Sequence, residues 1–334
     1  MRTLVALFLL LLAAPVAARV AFAALASDTP PALLSETGLF ADMARKELAA
    51  EAFAYRPSAE LFADHAEKVR AIILPPGTRA GLDGDGLLAL PVGTVLVKSF
   101  GALGRTFETR LLVHRADGWV ALPYVWEAEG TEARLRRTGA RLAVEVPVPG
   151  AGVRPVTRKV SWQVPNVNQC KTCHASGRDL MPIGVKARNL VATGDLARLA
   201  SRGMLEGSAR IAAISRVPDP ADPRALLEAR ARAYLDANCA HCHSRTGSAS
   251  NSGLFLTWEE QDRVALGIGK RPVAAGRGSG GRHFSIAPGE PDASIFLYRM
   301  ESTEPGVMMP ELGRTLPDAE GIALLRAWIG SLGR

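Results

Sequence analysis

All four cysteines of this 334-residue chain fall inside two pentapeptides of one form, Cys-x-x-Cys-His. The first is Cys170-Lys171-Thr172-Cys173-His174 and the second is Cys239-Ala240-His241-Cys242-His243. No cysteine is left over, so the two segments call for a single explanation. Any fold available to the chain must bring each pair of thiols, and the imidazole that follows, to one place. Positions i and i+3 share a face of a helix, so this spacing meets the demand on one helical turn.

Three ordinary uses of paired cysteines fit less well. A thioredoxin-like redox couple does not need a histidine after both pairs. Two such pairs can bind zinc, but an exported location disfavours a thiolate zinc site. Disulfides confined to these pairs would cross-link almost nothing over distance. The form is instead the attachment signature of c-type haem. Two thiols add to the two vinyl groups of the porphyrin, and the adjacent histidine faces the iron. Two covalently bound haem c groups are therefore expected, held by Cys170, Cys173 and His174 and by Cys239, Cys242 and His243. His174 and His243 are the expected proximal iron ligands. His241 occupies an x position and is expected at the surface.

The N-terminus supports this chemistry. Arg2 precedes an apolar run from Leu4 to Ala14, and small residues follow in alternating pairs at Val16/Ala18, Ala21/Ala23 and Ala24/Ala26. This is the pattern of a secretory signal peptide, with a cut expected after Ala23 or Ala26. The apolar run is shorter than the ~20 residues of a spanning helix. The remaining chain is expected to be soluble and periplasmic, the compartment side on which haem is attached covalently. The formal net charge is +7, mild for this length. The arginines are scattered among acidic and apolar neighbours, without the clustering of a nucleic-acid footprint. No nucleic-acid partner is expected; a mildly basic surface suits an acidic protein partner.

Texture divides the chain into a signal over 1–23, a mainly antiparallel β domain over 24–160, a first haem-binding region over 161–220 and a second, cytochrome c-like haem domain over 221–334. Within the β domain, runs such as "TVLVKSF", "TFETRLLVHR" and "WVALPYVWE" alternate with Gly, Pro and Asp turns. "GLFADMARKELAA" suggests a short helix before them. From Pro165 onward helices are expected to dominate, giving a mixed fold in which the β domain is followed by mainly α cytochrome domains. One helix is expected to start with Asp222 as N-cap and Pro223 at the first helical position. Its apolar face would carry Leu227, Ala231, Tyr234 and Leu235. The last helix carries Asp318 and Glu320 at its start and Ile322, Leu325, Trp328, Ile329 and Leu332 on one face.

The ligand opposite each histidine decides the chemistry. "EPGVMMPELGR" places Met308 and Met309 before Pro310, just ahead of the last helix. Opposite His174, Met204 is a candidate whose alternative is core packing. Met181 is read as lying on the proximal side and not ligating, with Pro182 offering its carbonyl to the His174 ring. His65, His114 and His283 are remote candidates, and an open site remains a second possibility.

On "VPNVNQCKTCH", "PIGVKARNL", "YLDANCAHCH", "PVAAGRGSGG", "PGEPDASIFLYRM" and "MMPELGR", together with "LFADHAEKVRAIILPPG" and "LPVGTVLVKSF", the chain resembles a family of diheme c-type cytochromes of Gram-negative bacteria. The C-terminal third also resembles class I cytochrome c modules, in which a Met followed by Pro is the distal ligand and the first and last helices pack together. The resemblance implies Met309 as the sixth ligand of the second iron. It implies a carrier of single electrons between redox protein partners. A diheme peroxidase or oxidase, with an open iron at His174, is the alternative. A third reading gives the β region a docking role through aromatics such as Trp119, Tyr124 and Trp126.

Overall fold

The computed structural model describes residues 19–150 and 155–333. Its centre is an antiparallel sheet of six strands: β1 (Phe53–Ala54), β2 (Glu67–Ile73), β3 (Val95–Ala102), β4 (Arg105–Arg115), β5 (Gly118–Trp126) and β6 (Ala133–Leu135). Successive strands of the sheet pair in space, so it is a meander; short turns join β3 to β4 and β4 to β5, while residues 74–94 join β2 to β3.

Alternation along the strands supplies two buried faces. Val95, Val97, Leu111, Val113, Leu122 and Tyr124 point to one side, where Leu25, Leu34, Leu39 and Phe40 cover them. Leu96 and Ile72 point to the other, against helices α2 (Ala187–Thr193) and α3 (Asp195–Ser201), through Leu190, Val191, Leu196 and Leu199. Each fully buried side chain of this kind contributes roughly 1.5–3 kcal/mol. A hairpin, β7 (Ala140–Val148) with β8 (Val156–Val164), packs Val146, Val160 and Trp162 on Phe100 and Phe107. Tyr124 and Trp126 are buried in the interior, and the half-buried Trp119 stacks on His114 at 4.4 Å.

The Cys-x-x-Cys-His segments belong to α1 (Val167–His174) and to the turn after α4 (Leu227–Asn238). Helices α5 (Ile295–Glu301) and α6 (Ala319–Ser331) follow in the chain. The α4–α6 contact is close because Gly321 lies against the Tyr234 ring; a Cβ there would sit 2.3 Å from it. The Tyr234 hydroxyl donates to Asp318 at 2.8 Å, and Asp318 caps α6 by accepting from the Gly321 N–H at 3.0 Å. Leu325, Trp328 and Ile329 fill the core beneath, with Ala231, Tyr234 and Leu235 from α4.

The expected mainly α cytochrome domains are not there. The protein is a mixed α/β structure that is only 25% helical. Between α4 and α5 the chain runs through turns, with left-handed glycines such as Gly267 and Gly289 that a continuing helix would not tolerate. Asp222 caps no helix: its carboxylate accepts from the Arg224 N–H at 3.0 Å in a local turn, and α4 begins later, at Leu227. "GLFADMARKELAA" forms a small hairpin, Phe40–Asp42 with Glu47–Leu48, because Phe40 joins the sheet core.

The apolar run of the expected signal lies outside the described residues. The expected cut points fall in a short helix, Phe22–Ala26, whose Leu25 is fully buried, while Val20 joins the same cluster. Among the described residues no helix is long and apolar enough to cross a membrane.

Candidate functional site

Helix α1 is set by its start. The Asn166 side chain accepts from the Gln169 N–H at 2.8 Å, and the Gln169 side chain accepts from the Asn166 N–H at 3.0 Å. This reciprocal cap fixes the first turn. Cys170 and Cys173 then share a face, and His174 ends the helix. The His174 Nδ1–H donates to the Met181 carbonyl at 2.7 Å. That carbonyl, and not the one expected from Pro182, orients the ring. Burial, against the Met181 bond, brings the His174 imidazole down to about 4. The ring is neutral, with its proton committed at Nδ1 and a lone pair free at Nε2.

The second motif is built differently. Cys239 follows the last residue of α4, and the His243 N–H donates back to the Cys239 carbonyl at 2.9 Å. The Ser252 hydroxyl donates to the Ala249 carbonyl at 2.6 Å, so its oxygen accepts from His243 Nδ1 at 3.2 Å. Nε2 is again left free. Burial raises the Cys239 thiol to about 12.

Each motif opens on its own cavity. Cys239, Cys242 and His243 line one of about 570 Å³, with Met309, Met300 and Phe296 in its wall. Cys170, Cys173 and His174 line the other, about 190 Å³, between α1 and the sheet. The two adjoin: Phe62, Cys173, His241 and Pro310 belong to both walls.

At the junction the ligand atoms of Cys173, His241 and Cys242 lie within 4.8 Å of one another. The Cys242 thiol donates to the Thr172 carbonyl at 3.6 Å. Contact between the two thiols favours proton loss at Cys242, helped by His241, and proton retention at Cys173. His241 is thus not the surface residue expected; its Nδ1 is buried without a partner. Its proximity to the first motif arises from tertiary folding, which no spacing within the second motif encodes.

Of the methionines singled out, Met309 lines the larger cavity and Met308 does not. The Met309 loop is pinned from two sides. Arg314 donates from Nη2 to the Met309 carbonyl at 2.8 Å and to the Ser302 carbonyl at 2.9 Å. Asp64, from the sheet region, accepts from the Thr315 N–H and the Leu316 N–H, each at 2.8 Å, and from the Thr315 hydroxyl at 2.9 Å. Met204 is not in either cavity wall. It packs with Leu199 and Leu205 in the core behind α3. The structure therefore does not bring it to the cavity that His174 lines. Met181 contributes its carbonyl only. His114 is committed to Trp119 and the Leu90 carbonyl, His65 packs edge-on to Phe62, and His283 lines neither cavity.

Sequence reasoning missed a row of cations along the sheet wall of the smaller cavity. Arg70 on β2, Lys98 on β3 and Arg110 on β4 are successive cross-strand partners. The signal was present in "TVLVKSF": strand alternation puts Lys98 on the face of Leu96 and Phe100, an inward-facing charge.

No protein-family model, curated protein or solved structure matches this chain in comparison with known proteins.

Proposed function

We propose that this protein is an exported carrier of single electrons that holds two covalently attached haems, a diheme c-type cytochrome in function. The observation that carries the reading is a coincidence at both motifs. Two thiols and one imidazole, its Nδ1 proton already committed and its Nε2 free, face a common cavity. Such a donor set suits thioether attachment with axial histidine ligation. The larger cavity also fits by volume, within the roughly 300–1,000 Å³ of cofactor sites. The smaller, about 190 Å³, lies below that range and is matched by its donor set alone: two thiols and an imidazole in a wall that joins apolar side chains to the cations of the sheet. A haem bound by these residues would supply reversible one-electron chemistry.

The chain's own residues do the rest. His174 and His243 present neutral imidazoles, and the Met181 carbonyl and Ser252 hydroxyl fix their orientation. Met309 offers a thioether from the wall of the second cavity, a ligand that favours the reduced iron. Cys173 and Cys242 bring the two tethering points side by side. The partners on this reading are redox proteins, and the dispersed positive charge favours acidic ones.

Carbon monoxide added to the reduced holoprotein tests carrier against enzyme. No spectral change supports the carrier. Binding of one equivalent supports the peroxidase or oxidase alternative, with its open iron at His174.

A second reading has its own observation. Cys173, His241 and Cys242 form a compact soft-donor cluster, one ligand short of tetrahedral zinc. Zinc in stoichiometric amount in the exported protein, with all four thiols free of porphyrin, would favour it.

A further inference from the structure

We propose that Lys98 is the sixth ligand, through Nζ, of the iron held at His174; this rests on the haem reading of the first motif. Lys98 lies at the middle of β3 and lines the cavity that Cys170, Cys173 and His174 also line. Its neighbours on either side are cations that already have carboxylate partners. Arg70 donates to Glu60 at 3.0 Å, and Arg110 donates to Glu108 from Nη2 at 3.0 Å. No described carboxylate pairs with Lys98; the contact its head makes is with the Phe100 ring, 4.9 Å from the centroid. An ammonium between two guanidinium groups in a closed cleft is poorly placed. A neutral amine there is a nitrogen ligand with a free lone pair. Burial first, then Arg70 and Arg110, shifts Lys98 well down, toward that form.

The other candidate ligands in this cavity are either bonded to partners or held at its tethered edge. No methionine is in its wall. Lys186 is bonded to both oxygens of Asp236, at 2.8 and 2.9 Å. The His241 ring sits within 4.8 Å of the Cys173 and Cys242 sulfurs, at the tethered edge. Burial raises the Tyr55 phenol to about 12, which keeps it protonated. Lys98 is left as the one uncommitted nitrogen on the sheet wall. Its competing role is charge pairing with a carboxylate substituent of the porphyrin. Arginine distinguishes the two, since it keeps the charge and cannot lose its proton to ligate.

The experiment compares wild-type holoprotein with Lys98→Arg, Lys98→Ala and Lys98→Met, using low-temperature electron paramagnetic resonance and the near-infrared spectrum. Wild type is expected to show two low-spin ferric haems. Lys98→Arg and Lys98→Ala are expected to turn one of the two high-spin, and once reduced to bind one equivalent of carbon monoxide. Lys98→Met, close in length, is expected to stay low-spin and to gain a second sulfur-to-iron charge-transfer band. A wild-type spectrum in Lys98→Arg, or spectra unchanged in all three variants, overturns the ligand assignment while two haems remain attached. Absence of haem from wild type, read by intact mass, overturns the underlying reading instead.

Discussion

The same five-residue form is mounted in two unlike settings. The first motif closes a capped helix and faces a rigid antiparallel sheet across a cavity of about 190 Å³. The second follows the end of α4 and faces loops across about 570 Å³. A backbone carbonyl orients the imidazole in the first, and a serine hydroxyl orients it in the second. Lys98 lines the first cavity and Met309 the second. On the proposed reading the motif would supply tether and proximal ligand, and the surrounding architecture the opposite face. Two irons held by one kind of motif would then differ in axial ligand, the main determinant of potential.

The largest expected effect comes from the residue that joins the two settings. Asp236 on α4 is 1% exposed and binds Lys186 and Arg188, which lead into α2 beside the first cavity. Asp236→Ala leaves two cations without their shared carboxylate. The expected loss is about 3–5 kcal/mol, the usual result of breaking a buried pair from one side. Urea unfolding measures it, and both sites should loosen together. Burial pushes the Asp236 carboxyl up, but Lys186 and Arg188 outweigh it and hold it below its ordinary value. Its folded pKa is therefore depressed. The stabilisation is complete above the unfolded value of about 3.9 and is lost as pH falls through the lower folded value. A wild-type urea midpoint that declines below about pH 4, with a smaller decline in Asp236→Ala, is the expected pattern.

Asp64 tests how far the sheet reaches into the second site. Asp64→Ala removes a buried carboxylate that accepts from two N–H groups and a hydroxyl of the loop after Met309. A loss of roughly 1.5–3 kcal/mol follows from charged hydrogen bonds of this kind. The sulfur-to-iron band of the second site should weaken, with the spectrum of the first unchanged.

The smallest perturbation of the whole is Met309→Ala, confined to one cavity. It should abolish that band and leave the first site untouched, whereas Met308→Ala should retain it. Persistence of the band in Met309→Ala would move the ligand elsewhere.

The extent to which the sequence announced this arrangement follows the range of the interactions involved. The motifs, the sheet strands and the Asp318-capped last helix are local patterns, legible from spacing and alternation. Met309, singled out for its place before Pro310, does line the larger cavity. The loops after Asn238 were legible in their glycines, but the cavity they enclose was not, because glycine-directed turns leave no periodic trace. Met204 had the right chemistry and a plausible separation from His174, but core packing behind α3 claims it. His241 and Lys98 gain their significance from tertiary contacts, across the motif junction and across the sheet.

Intact mass spectrometry of the exported, matured protein, with Cys170→Ala/Cys173→Ala and Cys239→Ala/Cys242→Ala alongside, tests the central claim most directly. The account predicts the mass of two porphyrins added to the wild-type polypeptide and of one added to each double variant. A wild-type mass equal to that of the bare polypeptide would contradict it.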